Sequence, residues 1–221
     1  MSEKFQEMLE QINKEIIFQA NEVEDTLFKS VKSFKIQNEK MAEIVKNSDR
    51  KINFREVEIE KKILDLLATQ QPVAIDLRFI VGALKMNNDL ERMADHAKSI
   101  AKIALLLSNE PMISEAESVI DLGKTTRLMV HDAVQSFIQR DSDLAKEVLE
   151  RDKIVDEKFA KITEIVYTAV EANPKKFKQG YEIINAAKHL ERIADLATNL
   201  CEDVVFMNDA TILRYGFNKQ D

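Results

Sequence analysis

Between residues 79 and 107 the apolar side chains Phe79, Ala83, Met86, Leu90, Met93, Ala97, Ile100, Ala104 and Leu107 recur at alternating steps of four and three. That spacing lays one stripe along an α-helix and is the seam pattern of helices packed lengthwise in a bundle. Ile80 and Leu84 add a second apolar row beside it, so the buried face is wide enough to touch two neighbouring helices. Similar periodic stretches fill most of the chain, and short polar breaks divide them. Gln70-Gln71-Pro72, Ser108-Asn109-Glu110-Pro111 and Ala172-Asn173-Pro174 carry the three prolines, which start helices more readily than they continue them because the ring removes a backbone donor. Two further breaks lie at the polar clusters Gln37-Asn38 and Asp141-Ser142-Asp143. Six helices are predicted, at roughly 3–36, 39–69, 73–107, 112–139, 142–171 and 174–208. Several run to about 30 residues, or ~45 Å. Such helices, joined by short connections, pack antiparallel to their neighbours at shallow angles. Residues 211–221, with Gly216 and no stripe, are expected to form a loosely ordered tail.

The helices repeat. Residues 89–97 read Asp-Leu-Glu-Arg-Met-Ala-Asp-His-Ala and residues 189–197 read His-Leu-Glu-Arg-Ile-Ala-Asp-Leu-Ala, an offset of 100. Upstream, Asp49-Arg50-Lys51-Ile52-Asn53 matches Asp152-Lys153-Ile154-Val155-Asp156 at an offset of 103, and Pro72 matches Pro174 at 102. Landmarks in one order with so little drift mark a tandem duplication. The period is too long for a solenoid, whose repeats run ~20–50 residues. The expected fold is therefore all-α: two tandem three-helix bundles related by internal pseudo-symmetry, over residues 1–109 and 110–210, followed by the tail at 211–221. Superposing the halves should lay Glu91 on Glu191 and Asp95 on Asp195.

Composition narrows the class. Four glycines and three prolines in 221 residues are about 3% where roughly 12% is average. Strands need turn residues every ~8–12 positions, so a β-rich fold is excluded. With 32 Lys+Arg against 39 Asp+Glu the net charge is −7. That argues against a sequence-independent nucleic-acid binder, because neutralising phosphates takes surplus cations. The single cysteine, Cys201, has no partner for an internal disulfide and fits a reducing compartment. The N-terminal Met1-Ser2-Glu3-Lys4-Phe5-Gln6-Glu7 is polar where a secretory leader would be apolar. The longest apolar run, Ile103-Ala104-Leu105-Leu106-Leu107, is far below the ~20 residues of a membrane span. The chain is expected to be soluble and intracellular, and to meet a membrane only peripherally or through a partner.

The repeated acids are the candidate chemistry. Glu91 and Asp95, and likewise Glu191 and Asp195, are four apart and share one helix face. They extend rows that begin apolar, Ile80-Leu84-Asn87-Glu91-Asp95 and Ile184-Ala187-Glu191-Asp195. Asp152 and Asp156 are again four apart, on the helix expected to run antiparallel to 174–208, and Asp49 and Asn53 are their first-half counterparts. Like charges at this spacing cost a few tenths of a kcal/mol in water and more when buried. Something must neutralise them, and their mutual repulsion should raise the carboxyl pKa values. Carboxylate clusters without thiolates suit Mg, Mn or Fe and tolerate Zn. Ordinary surface pairing with Arg92, Arg192 or nearby lysines is the other source of neutralisation, and both readings stay open at this point.

Enzyme signatures are missing from the sequence. Met93, Leu128 and Ala186 stand three before His96, His131 and His189, so there is no Glu-x-x-His of a ferritin-like di-iron oxidase. His96 and His189 have no zinc-ligand spacing and read as polar-face residues. The chain has no glycine-rich phosphate loop, no G-x-S-x-G and no Cys/His nucleophile pair. No catalytic residue is assigned and an enzyme is not expected. The charged positions Lys32, Lys35, Lys40, Asp121, Lys124 and Arg127 read as solvated helix surface, available to partners. Three functions are left: an adapter, a metal-dependent hydrolase or redox enzyme, and a structural helical oligomer whose acids only make salt bridges.

Gln71-Pro72-Val73-Ala74-Ile75-Asp76-Leu77-Arg78, then Leu84-Lys85, then Leu90-Glu91-Arg92-Met93-Ala94-Asp95-His96-Ala97 closely resembles the PhoU family, accessory proteins of the phosphate-specific transport system. The second half agrees through Leu190-Glu191-Arg192-Ile193-Ala194-Asp195 and Ala197-Thr198-Asn199-Leu200-Cys201-Glu202-Asp203. The likeness runs from the first helix to about Met207. It implies two three-helix bundles whose E(D)xxxD motifs hold multinuclear iron or zinc clusters, with Mg or Mn as the alternative from donor chemistry. Carried over by position, the ligands are Asp49, Glu91 and Asp95 in the first half and Asp152, Asp156, Glu191 and Asp195 in the second. Asn53 stands where a carboxylate would complete the first set, and Leu196 stands where His96 sits. The resemblance also implies a non-catalytic regulatory adapter. Such a protein restrains the phosphate-starvation response when phosphate is plentiful and modulates phosphate uptake. It does so by linking the phosphate ABC transporter, through its ATPase subunit, to a sensor histidine kinase. A homodimer in the cytoplasm, peripheral to the inner membrane through its partners and without a nucleic-acid ligand, completes the expectation.

Overall fold

The structure is a computed structural model that describes residues 3–109 and 111–213. The tail from residue 214 onward and the side chain of Asp49 lie outside the described residues. Helices α1 (Glu3–Ile36), α2 (Glu39–Thr69), α3 (Ala74–Leu107), α4 (Ala116–Gln139), α5 (Ser142–Ala172) and α6 (Phe177–Asp209) follow in order, with a 3-10 turn at Pro174–Lys176 and no strand among the described residues.

The polar breaks work as caps. Asn38 Oδ1 accepts from the Met41 amide at 2.9 Å and starts α2. Asp141 Oδ1 accepts from the amides of Asp143 and Leu144, both at 3.0 Å, and starts α5. Each satisfies amides that no upstream carbonyl reaches. Two helices begin later than the pattern predicts. The amides of Ala116 and Glu117 donate to the carbonyls of Ile113 and Ser114 in tight turns, so α4 starts at Ala116 and not at 112. Asn173 Oδ1 accepts from the Lys175 amide at 3.2 Å, and the 3-10 turn that results delays α6 to Phe177.

Helices α1, α2 and α3 pack on one another, as do α4, α5 and α6; contacts of α3 with α6 and of α1 with α4 join the two units. The residues that meet give the directions. Glu22 with Arg55 and Glu15 with Lys62 set α1 and α2 antiparallel, and Gln19 with Asn87 and Gln37 with Leu107 set α1 and α3 parallel. Asp132 with Arg151 and Asp121 with Lys158 repeat the first relation in α4 and α5. Ile113 with Gln179 and Thr126 with Leu190 repeat the second in α4 and α6. Across the junction α3 and α6 run antiparallel, with Lys85 at Asp203 and His96 at His189. One up-down-up unit thus occurs twice and faces its copy through its third helix. This is the expected pair of pseudo-symmetric bundles.

The seam forms the core. Ala83, Met86, Leu90, Met93, Ala97, Ile100, Ala104 and Leu107 are at most 3% exposed. Phe79 is half-buried, its ring stacked 6.3 Å from that of Phe137. Helix α3 touches three helices, α1, α2 and α6, where the sequence predicts two. For that reason Ile80, Ala94 and Ala101, off the seam, are buried as well. Two glycines mark close approaches between the units: a Cβ on Gly82 would come within 2.5 Å of Met207, and one on Gly123 within 2.8 Å of Val31.

Candidate metal centre

Asp152 and Asp156 stand on α5 and Glu191 and Asp195 on α6, the antiparallel pair of the second bundle. The heptad spacing explains why two of them are drawn inward. Asp152 falls four after Val148 and three before Val155, and Glu191 falls four after Ala187 and three before Ala194; all four flanking apolar residues are fully buried. Each acid therefore occupies a seam position that the period would give to an apolar side chain. The Asp152 carboxyl is pushed up to about 6, first by burial and then by the charges of Asp156 and Asp195. Glu191 is also raised, first by burial, then by Asp195, with Arg192 opposing and Asp156 and Asp152 adding to the rise. The four carboxyls share one electrostatic neighbourhood. Burial leads and repulsion follows, whereas the sequence pattern points to repulsion alone.

Arg192 supplies part of the compensation. Its Nη1 donates to Asp195 Oδ2 at 2.9 Å, and its Nε lies 3.5 Å from Glu191 Oε2 without hydrogen-bond geometry. Glu191 Oε2 is buried and has no hydrogen-bond partner among the described residues. An unsatisfied buried acceptor of this kind costs on the order of 1–3 kcal/mol. In donor chemistry this half suits a hard or borderline cation. In the present side-chain arrangement, no group of three or more His, Cys, Asp or Glu among the described residues is placed to hold a metal ion. The acids form a cluster by charge and not by closed ligand geometry.

The first half is sparser. Glu91 is half-buried on α3, while Asp95 is exposed and has Lys98 Nζ 3.3 Å from its Oδ1. Asp49 sits on α2, its side chain outside the described residues. Asn53, which matches Asp156, has its Oδ1 buried without a hydrogen-bond partner among the described residues. Each half thus leaves one oxygen unsatisfied within its repeated motif, Asn53 in one and Glu191 in the other.

Three further polar features lie where sequence order does not point. Lys85 Nζ donates at 3.0 Å to Asp203, a carboxylate that is 2% exposed, and so ties α3 to α6. Beside this pair a cleft between the bundles is lined by Glu56, Glu60, Lys85, Asp89, Arg92 and Glu202, where burial and then Glu60 raise the Glu56 carboxyl. His96 and His189, read from the sequence as separate polar-face residues, meet with their Nδ1 atoms 3.0 Å apart. Burial and then Arg92 lower the pKa of His96, and burial and then His96 lower that of His189 to about 4. The only sequence signal for the first feature was that Lys85 and Asp203 both fall inside the motif runs. Cys201 is buried and its thiol is pushed up to about 12, chiefly by burial, which keeps it un-ionised.

Two up-down-up bundles that face each other through their third helices, each repeating an acid pair on that helix, define a duplicated helical module without a strand among its described residues. The family model described as PhoU domain matches twice, over residues 16–104 and 119–204, once in each bundle. The chain belongs to the PhoU family. It is 35% identical over 212 residues to the phosphate-specific transport system accessory protein PhoU homolog of Aquifex aeolicus (strain VF5), covering 96% of each chain. Its fold is similar to the crystal structure of PhoU from Pseudomonas aeruginosa, with a TM-score of 0.91 and 30% identity over 94% of this chain and 100% of that one. It is also similar to the phosphate transport system regulatory protein PhoU from Streptococcus pneumoniae, with a TM-score of 0.87 and 26% identity over 95% and 99% of the two chains. No helix among the described residues is long and apolar enough to cross a membrane.

Proposed function

We propose that the chain is a regulatory adapter of phosphate uptake. It restrains the phosphate-starvation response when phosphate is plentiful and modulates uptake by linking the phosphate ABC transporter, through its ATPase subunit, to a sensor histidine kinase. The observation that carries this reading is the double PhoU-domain match, one in each bundle. It falls on a chain that spans the length of relatives named for the phosphate-specific transport system and, in one solved structure, for its regulation. In this reading the protein does no catalysis. It works as a cytoplasmic homodimer that reaches the inner membrane only through its partners and binds no nucleic acid.

The acids are its cation sites. Asp152, Asp156, Glu191 and Asp195 would hold iron or zinc, with Mg or Mn as the alternatives, and Asp49, Glu91 and Asp95 would form a weaker first-half site because Asn53 brings no charge. A bound cation supplies positive charge between helices whose acids otherwise repel. The unsatisfied Glu191 Oε2 supports this. The Arg192–Asp195 and Lys98–Asp95 contacts favour a second reading, in which the acids only make surface ion pairs. Elemental analysis of protein purified without chelator separates the two. Stoichiometric metal that is lost in the Glu191→Ala, Asp195→Ala double variant supports cation sites; absence of metal supports ion pairs; metal accompanied by turnover overturns the non-enzymatic reading.

The adapter role is tested in the cell. Deletion should switch on phosphate-starvation genes at high phosphate, because the state of the transporter no longer reaches the kinase. Normal repression in a deletion strain with no second copy would remove the claim. A pull-down with the transporter ATPase subunit, with and without phosphate, tests the contact itself.

A further inference from the structure

Helices α3 and α6 cross where His96 faces His189. The two Nδ1 atoms are 3.0 Å apart, the ring centroids 5.2 Å apart, and the ring planes are tilted by 44°. Both side chains are half-buried in the junction between the bundles. A contact this short requires one Nδ1 to carry a hydrogen and the other a lone pair, so at least one ring is neutral. The internal repeat does not account for the pair. At the offset of 100, the counterparts of His96 and His189 are Leu196 and Asp89, so the two histidines meet on one side of the pseudo-twofold relation and a leucine and an aspartate occupy the other. Two of the three cations that act on the rings are held by acids, Arg92 donating to Asp89 at 3.1 Å and Arg192 to Asp195 at 2.9 Å, while Lys188 beside His189 is exposed to solvent.

We infer that His96 and His189 form a two-imidazole site for a borderline divalent cation such as zinc, nickel or copper, which bridges α3 to α6 and pins the two bundles together. Metal–nitrogen bonds of about 2.0–2.1 Å place two neighbouring ligand nitrogens roughly 2.9 Å apart at a right angle and roughly 3.3 Å apart at the tetrahedral angle. The observed 3.0 Å lies inside that interval. Imidazole nitrogen suits these metals, whereas Mg, Ca and Mn go to carboxylate and water oxygen. The site differs in donor type from the carboxylates on α5 and α6, and it joins different helices. Water completes the coordination shell, so binding is weaker than at a closed four-ligand site. When the metal enters, the ring with hydrogen on Nδ1 moves that proton to its own Nε2 through solvent. Both Nδ1 lone pairs then face the metal and no proton is gained or lost. Because the ligands come from both bundles, occupancy stabilises their packing by mass action.

The test titrates zinc into the full chain carrying Asp152→Asn and Asp156→Asn, which weakens the carboxylate site but keeps the Arg192–Asp195 pair, with 15N-labelled histidine, and follows the ring nitrogens and the thermal midpoint together. Both Nδ1 signals of His96 and His189 should move to metal-bound positions, and the midpoint should rise with zinc concentration. Adding His96→Leu, which copies the residue at the equivalent position 196, should weaken the zinc response of the His189 ring at least ~tenfold and reduce the rise. His189→Gln keeps a hydrogen-bonding side chain and should do the same to the His96 ring; it decides the question alone if the leucine variant does not fold. Ring signals that stay in place under zinc, or a zinc response of the His96 ring unchanged in His189→Gln, would overturn the inference. Either result leaves the carboxylate sites untouched, since those are read by metal lost from the Glu191 and Asp195 variants.

Discussion

Asp152 shows how a residue out of keeping with its position creates a measurable property. It stands at a seam position between Val148 and Val155 and is lifted to about 6 from an ordinary 3.8. In the metal-free protein the folded state therefore binds this proton more tightly than the unfolded chain does. The stabilisation is complete below the ordinary value and is lost as pH rises through about 6. Asp152→Asn keeps the shape and removes the charge, so it should flatten that slope. At neutral pH it should raise the unfolding free energy by about 1 kcal/mol, less than the full shift implies because water screens a carboxyl that is only partly buried. Urea unfolding of both proteins at roughly pH 4 and pH 7.5 checks this through the linkage slope. A gain of equal size at the two values would mean that the charge of Asp152 is not the cause.

Between helices, the decisive contacts are made where side chains are smallest. At Gly123 a Cβ would come 2.8 and 3.0 Å from the two methyls of Val31. A β-branched side chain in a helix keeps one preferred rotamer and cannot swing aside. Gly123→Ala gains ~1 kcal/mol of helix propensity but meets an overpacking cost of ~1–3 kcal/mol, so a net loss of about 1 kcal/mol is expected. With Val31→Ala in the background the obstruction is gone, and the same change should stabilise by up to ~1 kcal/mol. A double-mutant cycle reads the coupling, and strict additivity would show that α1 and α4 do not meet in this way. Caps matter on the same footing: Asp141→Ala should cost about 1 kcal/mol by freeing the first amides of α5.

The molecule as a whole depends on the junction of α3 with α6. Lys85 donates to the buried Asp203 and lies over the Phe206 ring at 5.3 Å. Lys85→Met would take the Lys85 ammonium away from a buried carboxylate. The expected loss is about 2–3 kcal/mol, below the range for a fully buried pair because the Lys85 side chain is 41% exposed. Asp203→Asn in the Lys85→Met background should recover most of it, as removing the charge removes the need for a partner. Chemical denaturation of the single and double variants measures both effects. A Lys85→Met protein as stable as the parent would show that the pair contributes little to holding the bundles together.

How the chain becomes six helices in two like units can be read from residue order, because helix formation rests on local hydrogen bonds and on a period of 3.6. The four-three spacing from Ala83 to Leu107, the caps Asn38 and Asp141, and the offset of 100 between Glu91 and Glu191 all lie within that local grammar. The row Ile184-Ala187-Glu191-Asp195 already sets Glu191 beside apolar positions, whereas the place of Asp152 between Val148 and Val155 shows in the burial of those two residues. The same grammar misjudged the starts of α4 and α6 by a turn, where Ile113, Ser114 and Asn173 bind nearby backbone amides in place of helix bonds. Which distant residues meet belongs to the tertiary structure alone. His96 reaches His189 and Lys85 reaches Asp203 only because α3 and α6 cross antiparallel in one register. That register is set by the summed packing of many side chains, Gly82 against Met207 among them, and no short stretch of chain encodes it. For the same reason burial, and not repulsion, leads the rise of Asp152: how far a carboxyl is removed from water depends on the helix laid over it.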